Sequence, residues 1–243
     1  VRKSQKAPEA SSASRVIHIP VERVAVMSTS FLHPIVEIGE VDSIIALSSF
    51  DYPNALAIRK RIDSGAIAEI GGESGVNLEM IVALAPDLVF THAMGNPETD
   101  LHPALGELGV LSAISSSYLE STPLGRAEWM KFTAAFFDQV ERAERRFAEV
   151  EREYSLLTQK TANLKERPTV FVNAPWGGVW HVPGGDSYMA NLLQDAGARY
   201  LWSELPGEGA GPMEFERVYA KALEADFWIT ASQHAGMDQV LAD

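Results

Sequence analysis

Cysteine is absent from the 243 residues. Its absence excludes disulfides, thiolate catalysis and cysteine-ligated metal. Positive charge is scarce as well: 20 Lys and Arg stand against 33 Asp and Glu, a net charge of −13. No basic patch large enough to neutralise a run of phosphates is present, so nucleic acid is not expected as a partner. The same balance disfavours anionic membrane surfaces. No apolar run is long enough to span a bilayer. Several enzyme signatures are missing too. There is no nucleophile elbow, no P-loop, and no G-x-G-x-x-G after a strand. The stretch Gly71-Gly72-Glu73-Ser74-Gly75 has the wrong spacing for a phosphate loop. No HxH or HExxH pair marks a bare metal site.

The chain does have a long amphipathic helix pattern over 139–164. Val140, Ala143, Phe147, Val150, Tyr154, Leu157, Thr161 and Leu164 recur at alternating steps of three and four, which places them on one stripe. Charged residues fill the opposite face, and Glu141–Arg145 and Arg145–Glu149 are spaced to pair. Such a helix is about 35–40 Å long. It reads as a strut joining two lobes. The competing reading is a coiled-coil dimer seam, but only three to four heptads are present and two stripe positions are Ala and Thr. A monomer is therefore expected.

On either side of the strut, apolar strand-like runs alternate with helix patterns, the mark of parallel α/β structure. The expected organisation is a flexible, weakly basic tether at 1–20, an α/β lobe at 21–121, a helix and the strut at 122–167, and a second α/β lobe at 168–243. The lobes echo one another. Leu78-Glu79 opens a helix that leads to Asp87-Leu88-Val89-Phe90-Thr91, and Phe215-Glu216 opens one that leads to Asp226-Phe227-Trp228-Ile229-Thr230. Gly39 and Gly197 each close a helix that runs into a strand. The second lobe has fewer strands and reads as incomplete at Asp243. No signal peptide is visible, so an exported form would be mature or trimmed, and any lipid-bearing cysteine would lie upstream of Val1.

Ligands of open α/β sheets sit beyond the carboxyl ends of the strands. That rule nominates Ser28, Thr29, Ser30 and Phe31 after the first strand, where hydroxyls and a helix start suit an anionic group; the same residues serve equally as a plain helix cap. It nominates Tyr52, with Ser49, Phe50 and Asp51, after the second. His92, with Thr91 and Met94, follows a later strand. In the second lobe it nominates Trp176, Trp180, His181 and Tyr188. The aromatics suit a large planar or greasy ligand, or else they pack the lobe's core. His92 and His181 could each offer a metal ligand or a hydrogen bond, or simply be half-buried polar residues. His33 is a weaker candidate, and His102 and His234 read as surface residues. No intrinsic metal site and no cofactor are expected.

The pieces Asn77-Leu78-Glu79, Ala85-Pro86-Asp87-Leu88-Val89, Gly125-Arg126-Ala127-Glu128, the strut, Phe215-Glu216-Arg217-Val218 and Ala225-Asp226 together resemble one family. It is that of substrate-binding proteins of ABC importers, in the helical-backbone class that handles iron–siderophores, haem and cobalamin. The resemblance covers most of residues 22–230. It implies two lobes with parallel-type sheets joined by one long backbone helix, and a ligand cleft between the lobes. It implies no catalysis, but capture of a metal complex, an iron chelate ahead of cobalamin, for delivery to an ABC permease. It implies a periplasmic or otherwise extracytoplasmic location, with or without a lipid anchor. By motif position it makes Glu79 and Glu216 the permease-docking residues; as plain residues they are first-turn glutamates favoured by the helix dipole. A bare Zn or Mn carrier and an α/β hydrolase using Ser28 and His92 rank lower.

Overall fold

A computed structural model describes residues 1–6, 15–72, 75–96 and 100–230. The chain is mixed α/β with parallel sheets, as expected, and divides into two compact units. The first comprises Val1–Leu119 with Ala127–Val150, and the second Glu120–Arg126 with Glu151–Asp243.

In the first unit, strands β1 (Val24–Val26), β2 (Ile44–Leu47), β3 (Ala68–Glu69), β4 (Leu88–His92) and β5 (Ser112–Ser115) form one sheet in the order β3-β2-β1-β4-β5. All its pairs are parallel. Helices α1 (Leu32–Glu37), α2 (Leu56–Asp63), α3 (Leu78–Leu84) and α4 (Leu101–Glu107) connect the strands. A parallel sheet is buried on both faces, so its strands read as apolar runs rather than as alternation. Leu88, Val89 and Phe90 are accordingly all fully buried. Phe90 meets Phe31, Phe136 and Phe137. On the other face Ala25, Ala46 and Val89 pack with Ile70, Ile81 and Leu105. The strand order reverses between β1 and β4, and the carboxyl ends of those two strands meet there.

Helix α5 (Pro123–Phe136) and the strut α6 (Val140–Ala162) follow. The strut begins in the first unit, where Ala143 is in the core and Phe147 packs against it, and continues into the second. The expected pairs through Arg145 do not form. Arg146 instead bridges Glu37 of α1 and Glu149, because the i,i+3 step also brings side chains together.

The second unit has a three-stranded parallel sheet in the order β10-β6-β8, from β6 (Thr169–Val172), β8 (Arg199–Tyr200) and β10 (Phe227–Ile229). An antiparallel ribbon pairs β7 (Trp180–Pro183) with β9 (Ala210–Met213). Helices α7 (Tyr188–Asp195) and α8 (Phe215–Ala222) are the unit's other helices among the described residues. Strands β3 and β9 have no counterpart in the sequence reading. β3 is two residues long, and β9 carries Gly211 and Pro212, which mark loops except at an edge. The start of the chain, expected as a free tether, is tied at its described ends. Ile19 N–H donates to Val1 O, and Lys3 N–H to Ile19 O.

Candidate functional site

The site of the first unit grows from strand register. Val26 of β1 pairs with Phe90 of β4, so two residues further on Ser28, just past β1, comes beside His92, the last residue of β4. Ser28 has extended backbone angles, and its Oγ accepts the Ser30 N–H at 3.3 Å, starting the short turn Thr29–Phe31 that leads into α1. Ser30 Oγ lies 3.0 Å from Ser28 Oγ and 3.2 Å from His92 Nε2. His92 Nδ1 lies 3.1 Å from the carbonyl of Ser115, its register partner on β5.

Chemistry gives this chain a direction. A carbonyl only accepts, so in neutral His92 the proton sits on Nδ1, and Nε2 accepts from Ser30. The Ser28 hydroxyl then donates to Ser30 Oγ. Two rings contact the imidazole: Phe31 stacks on it at 4.8 Å between centroids, and Tyr118 stands perpendicular to it at 5.9 Å while donating its hydroxyl to Ala93 O.

Ser28 and Thr29 also line a pocket of about 860 Å³ with Met27, Ser48, Ser49, Tyr52, Glu69, Ile70, Asn77 and three glycines. It opens at the carboxyl ends of β1, β2 and β3. Glu69 Oε1 accepts the Phe50 N–H at 2.7 Å and fixes the loop that carries Tyr52, which is 64% exposed. Gly71 has φ +81°, and a Cβ there would lie 2.2 Å from Gly75 O, so no larger residue fits the pocket wall.

In the second unit, Trp176 and Val179 exchange both backbone hydrogen bonds around Gly177 and Gly178, each at positive φ. Positive φ at both central positions favours glycine in this two-residue hairpin, and Trp176 at its base is 82% exposed. His181 is exposed on β7. Tyr188 opens α7, half-buried, with the Arg126 guanidinium 3.8 Å above its ring. Trp180 belongs to the core instead. It is 6% exposed, packs on Phe171, and donates its indole N–H to Val172 O at 3.1 Å. Strand alternation explains this: Trp180 and His181 must point to opposite faces, and only one can face out. Phe31 is likewise a core residue, 3% exposed, that reaches the site only through its contact with His92.

Glu79 lies in the first turn of α3, whose Asn77 cap accepts the Met80 N–H at 2.9 Å, and Glu216 in the first turn of α8. Both are exposed. His33 is 4.0 Å from Glu37, and His102 is half-buried with a shielded Nδ1 rather than a surface residue. His234 lies outside the described residues. Among the described residues no three His, Asp or Glu side chains converge on a metal position. The sequence reading missed the Ser115 carbonyl, Tyr118 and Glu69. The strand-end rule, extended to β5, would have reached Ser115 and Tyr118; Glu69 ends the two-residue β3, which has no side-chain pattern to signal it.

The family model described as periplasmic binding protein matches residues 24–243. An uncharacterized lipoprotein of Methanocaldococcus jannaschii is 28% identical over 237 residues, covering 94% of this chain and 56% of the relative. The chain thus spans just over half of that relative's length. A vitamin B12-binding protein of Vibrio parahaemolyticus is 34% identical over 92 residues, covering 37% of this chain and 30% of that protein. Among solved structures, a periplasmic heme-binding protein of Pseudomonas aeruginosa aligns with a TM-score of 0.70 at 20% identity, covering 91% of this chain and 76% of that one. A protein of an ABC-type Fe3+-hydroxamate transport system from Saccharomonospora viridis aligns with a TM-score of 0.68 at 20% identity, covering 91% and 78%. At these identities the structural likeness establishes the fold.

Proposed function

Since the chain belongs to the periplasmic binding protein family, we propose that it is the solute-capturing component of an ABC importer for a metal complex, an iron–siderophore or haem. The observation that carries this reading is the family match over 24–243, with polar and aromatic side chains gathered at the strand ends where the fold takes ligands. The protein works outside the cytoplasmic membrane; the lipoprotein relative supports this location and a lipid anchor. It captures and hands over without turning over.

In the first unit Ser28, Thr29, Ser30, Tyr52 and His92 are the ligand contacts, with Phe31 holding the His92 ring. In the second unit Trp176 is the aromatic candidate, followed by His181 and Tyr188. A chelate suits this inventory better than a bare ion. In the first unit hydroxyls and an imidazole suit the rim of a large complex, and in the second an open indole suits a planar one, whereas Zn or Mn needs three or four converging ligands. Glu79 and Glu216 are the docking residues for the permease, each solvent-facing and at a helix start. Cobalamin is the second reading, favoured by the local identity to the vitamin B12-binding protein.

A retention assay tests the proposal. The protein is mixed with haemin, cyanocobalamin and a panel of ferric siderophores, passed through a desalting column, and the eluted ligand identified. One class retained and recovered chemically unchanged is the expected result. Retention of none, or release of a hydrolysed product, would overturn it.

A further inference from the structure

The hydrogen-bond chain Ser28–Ser30–His92–Ser115 has an open end at Ser28, and that end lines the pocket. We propose that protonation of His92 reverses the chain and turns Ser28 from a hydrogen-bond acceptor into a donor, so that the site selects chelates with anionic oxygens and holds them more tightly in acid. This deepens the carrier reading and rests on it.

With His92 neutral, Nδ1–H is spent on the Ser115 carbonyl and Nε2 takes the Ser30 proton. Ser30 Oγ takes the Ser28 proton. Ser28 Oγ also accepts the Ser30 N–H. The Ser28 and Ser30 hydroxyl protons are then both used inside the chain of hydrogen bonds, and Ser28 offers the pocket only a lone pair. A second proton on His92 must go to Nε2. The Ser30 hydroxyl now accepts from Nε2–H and turns its own proton to Ser28 Oγ. Ser28 accepts twice, and its proton is free to point into the pocket. The same proton adds a positive charge beside the site. Both changes favour a carboxylate or other anionic oxygen, through a charge-assisted chain.

The groups around the imidazole allow this. The turn before α1 contributes the Ser30 hydroxyl and the Phe31 ring, β5 the Ser115 carbonyl, and the segment after β5 the Tyr118 ring edge. Among the described residues no carboxylate or guanidinium forms an ion pair with His92. Glu69 lines the same pocket, but its Oε1 is engaged by the Phe50 amide.

The test compares haemin, which carries two carboxylates, with cyanocobalamin and a neutral ferric trihydroxamate. Affinities are measured between about pH 5 and 8. One linked proton changes affinity by at most about tenfold per pH unit. Haemin is expected to bind more weakly as pH rises, with a slope approaching that limit, and the neutral chelates to show a flat profile. His92→Gln should flatten the haemin profile, and Ser28→Ala should cut its slope by more than half. Comparing wild type with His92→Gln cancels any pH-dependent speciation of haemin itself. Nitrogen NMR of the His92 ring in the free protein gives an independent readout: the neutral form should carry its proton on Nδ1. A haemin profile equally steep in His92→Gln, saturable haemin binding that is flat in wild type, or a neutral ring protonated on Nε2 would each overturn the inference alone. Failure of every probe to bind at any pH would overturn the carrier reading and the inference with it.

Discussion

Trp176 and Trp180 stand four residues apart with opposite fates. Trp176 sits on a hairpin set by Gly177 and Gly178 and gives its indole to solvent, while Trp180 spends its N–H on Val172 O and fills the second unit's core. Trp176→Ala should leave thermal stability nearly unchanged and weaken ligand binding about tenfold or more, the usual loss for a central aromatic contact. Trp180→Ala should cost about 3–5 kcal/mol of stability in denaturant unfolding. The opposite pattern would exchange their roles. Asp226 makes a different kind of prediction. Hydrogen bonds from the Thr169 N–H, then from the Thr169 hydroxyl, hold its carboxylate below the ordinary Asp value. A lowered folded-state value means the stabilisation is complete above about pH 4 and fades as pH falls through the lowered value. The gap in melting temperature between wild type and Asp226→Asn should therefore be widest near neutral pH and close in acid. A gap that is constant with pH would show that the carboxylate charge contributes nothing.

Among the elements, the sequence echo between the halves acquires a physical cause. Asp87 precedes β4; its N–H donates to the Arg23 carbonyl, and its carboxylate accepts the Glu22 and Arg23 amides just before β1. Asp226 does the same for β6: its N–H donates to Thr169 O, and its carboxylate accepts the Thr169 N–H. Each Asp ties its own strand to the neighbouring strand at the amino end. The glycine echo has a cause as well. Gly39, at φ +80°, leaves room for Arg142 of the strut, and Gly197, at φ +83°, for Thr161 and Leu164. A Cβ at 197 would lie 2.7 Å from the Leu164 methyl and would also be strained by the positive φ. Gly197→Ala should thus destabilise the second unit by about 1–3 kcal/mol in thermal unfolding, and Leu164→Ala should relieve part of that loss. The strut was legible in the sequence because its stripe repeats at 3.6-residue spacing over many turns. Its ion pairs were not, since Glu37, the partner of Arg146, lies 109 residues away. The short β3 and the Gly-Pro β9 were hidden because pairing, not side-chain pattern, makes them strands. Ser28, Ser30 and His92 were found because strand ends are readable. Their mutual bonding depended on register, which one strand's sequence does not reveal.

For the whole molecule, the charge of −13 bears on function. A basic docking surface would suit this acidic chain, and Glu79 and Glu216 are exposed first-turn carboxylates, the former in the first unit and the latter in the second. Replacing both with Ala should leave ligand affinity unchanged and reduce uptake by cells that carry the cognate permease. Uptake that persists at the wild-type rate would remove both from the docking surface. The central claim is capture of one metal complex per chain without chemistry. The most direct measurement is a tryptophan-fluorescence titration against haemin, cyanocobalamin and ferric siderophores, corrected for ligand absorption. The account predicts saturable quenching at one equivalent by one class of chelate, a weakened response in Trp176→Ala, and full recovery of the chelate intact. Unsaturated, equal quenching by every chelate, or none by any, would contradict it.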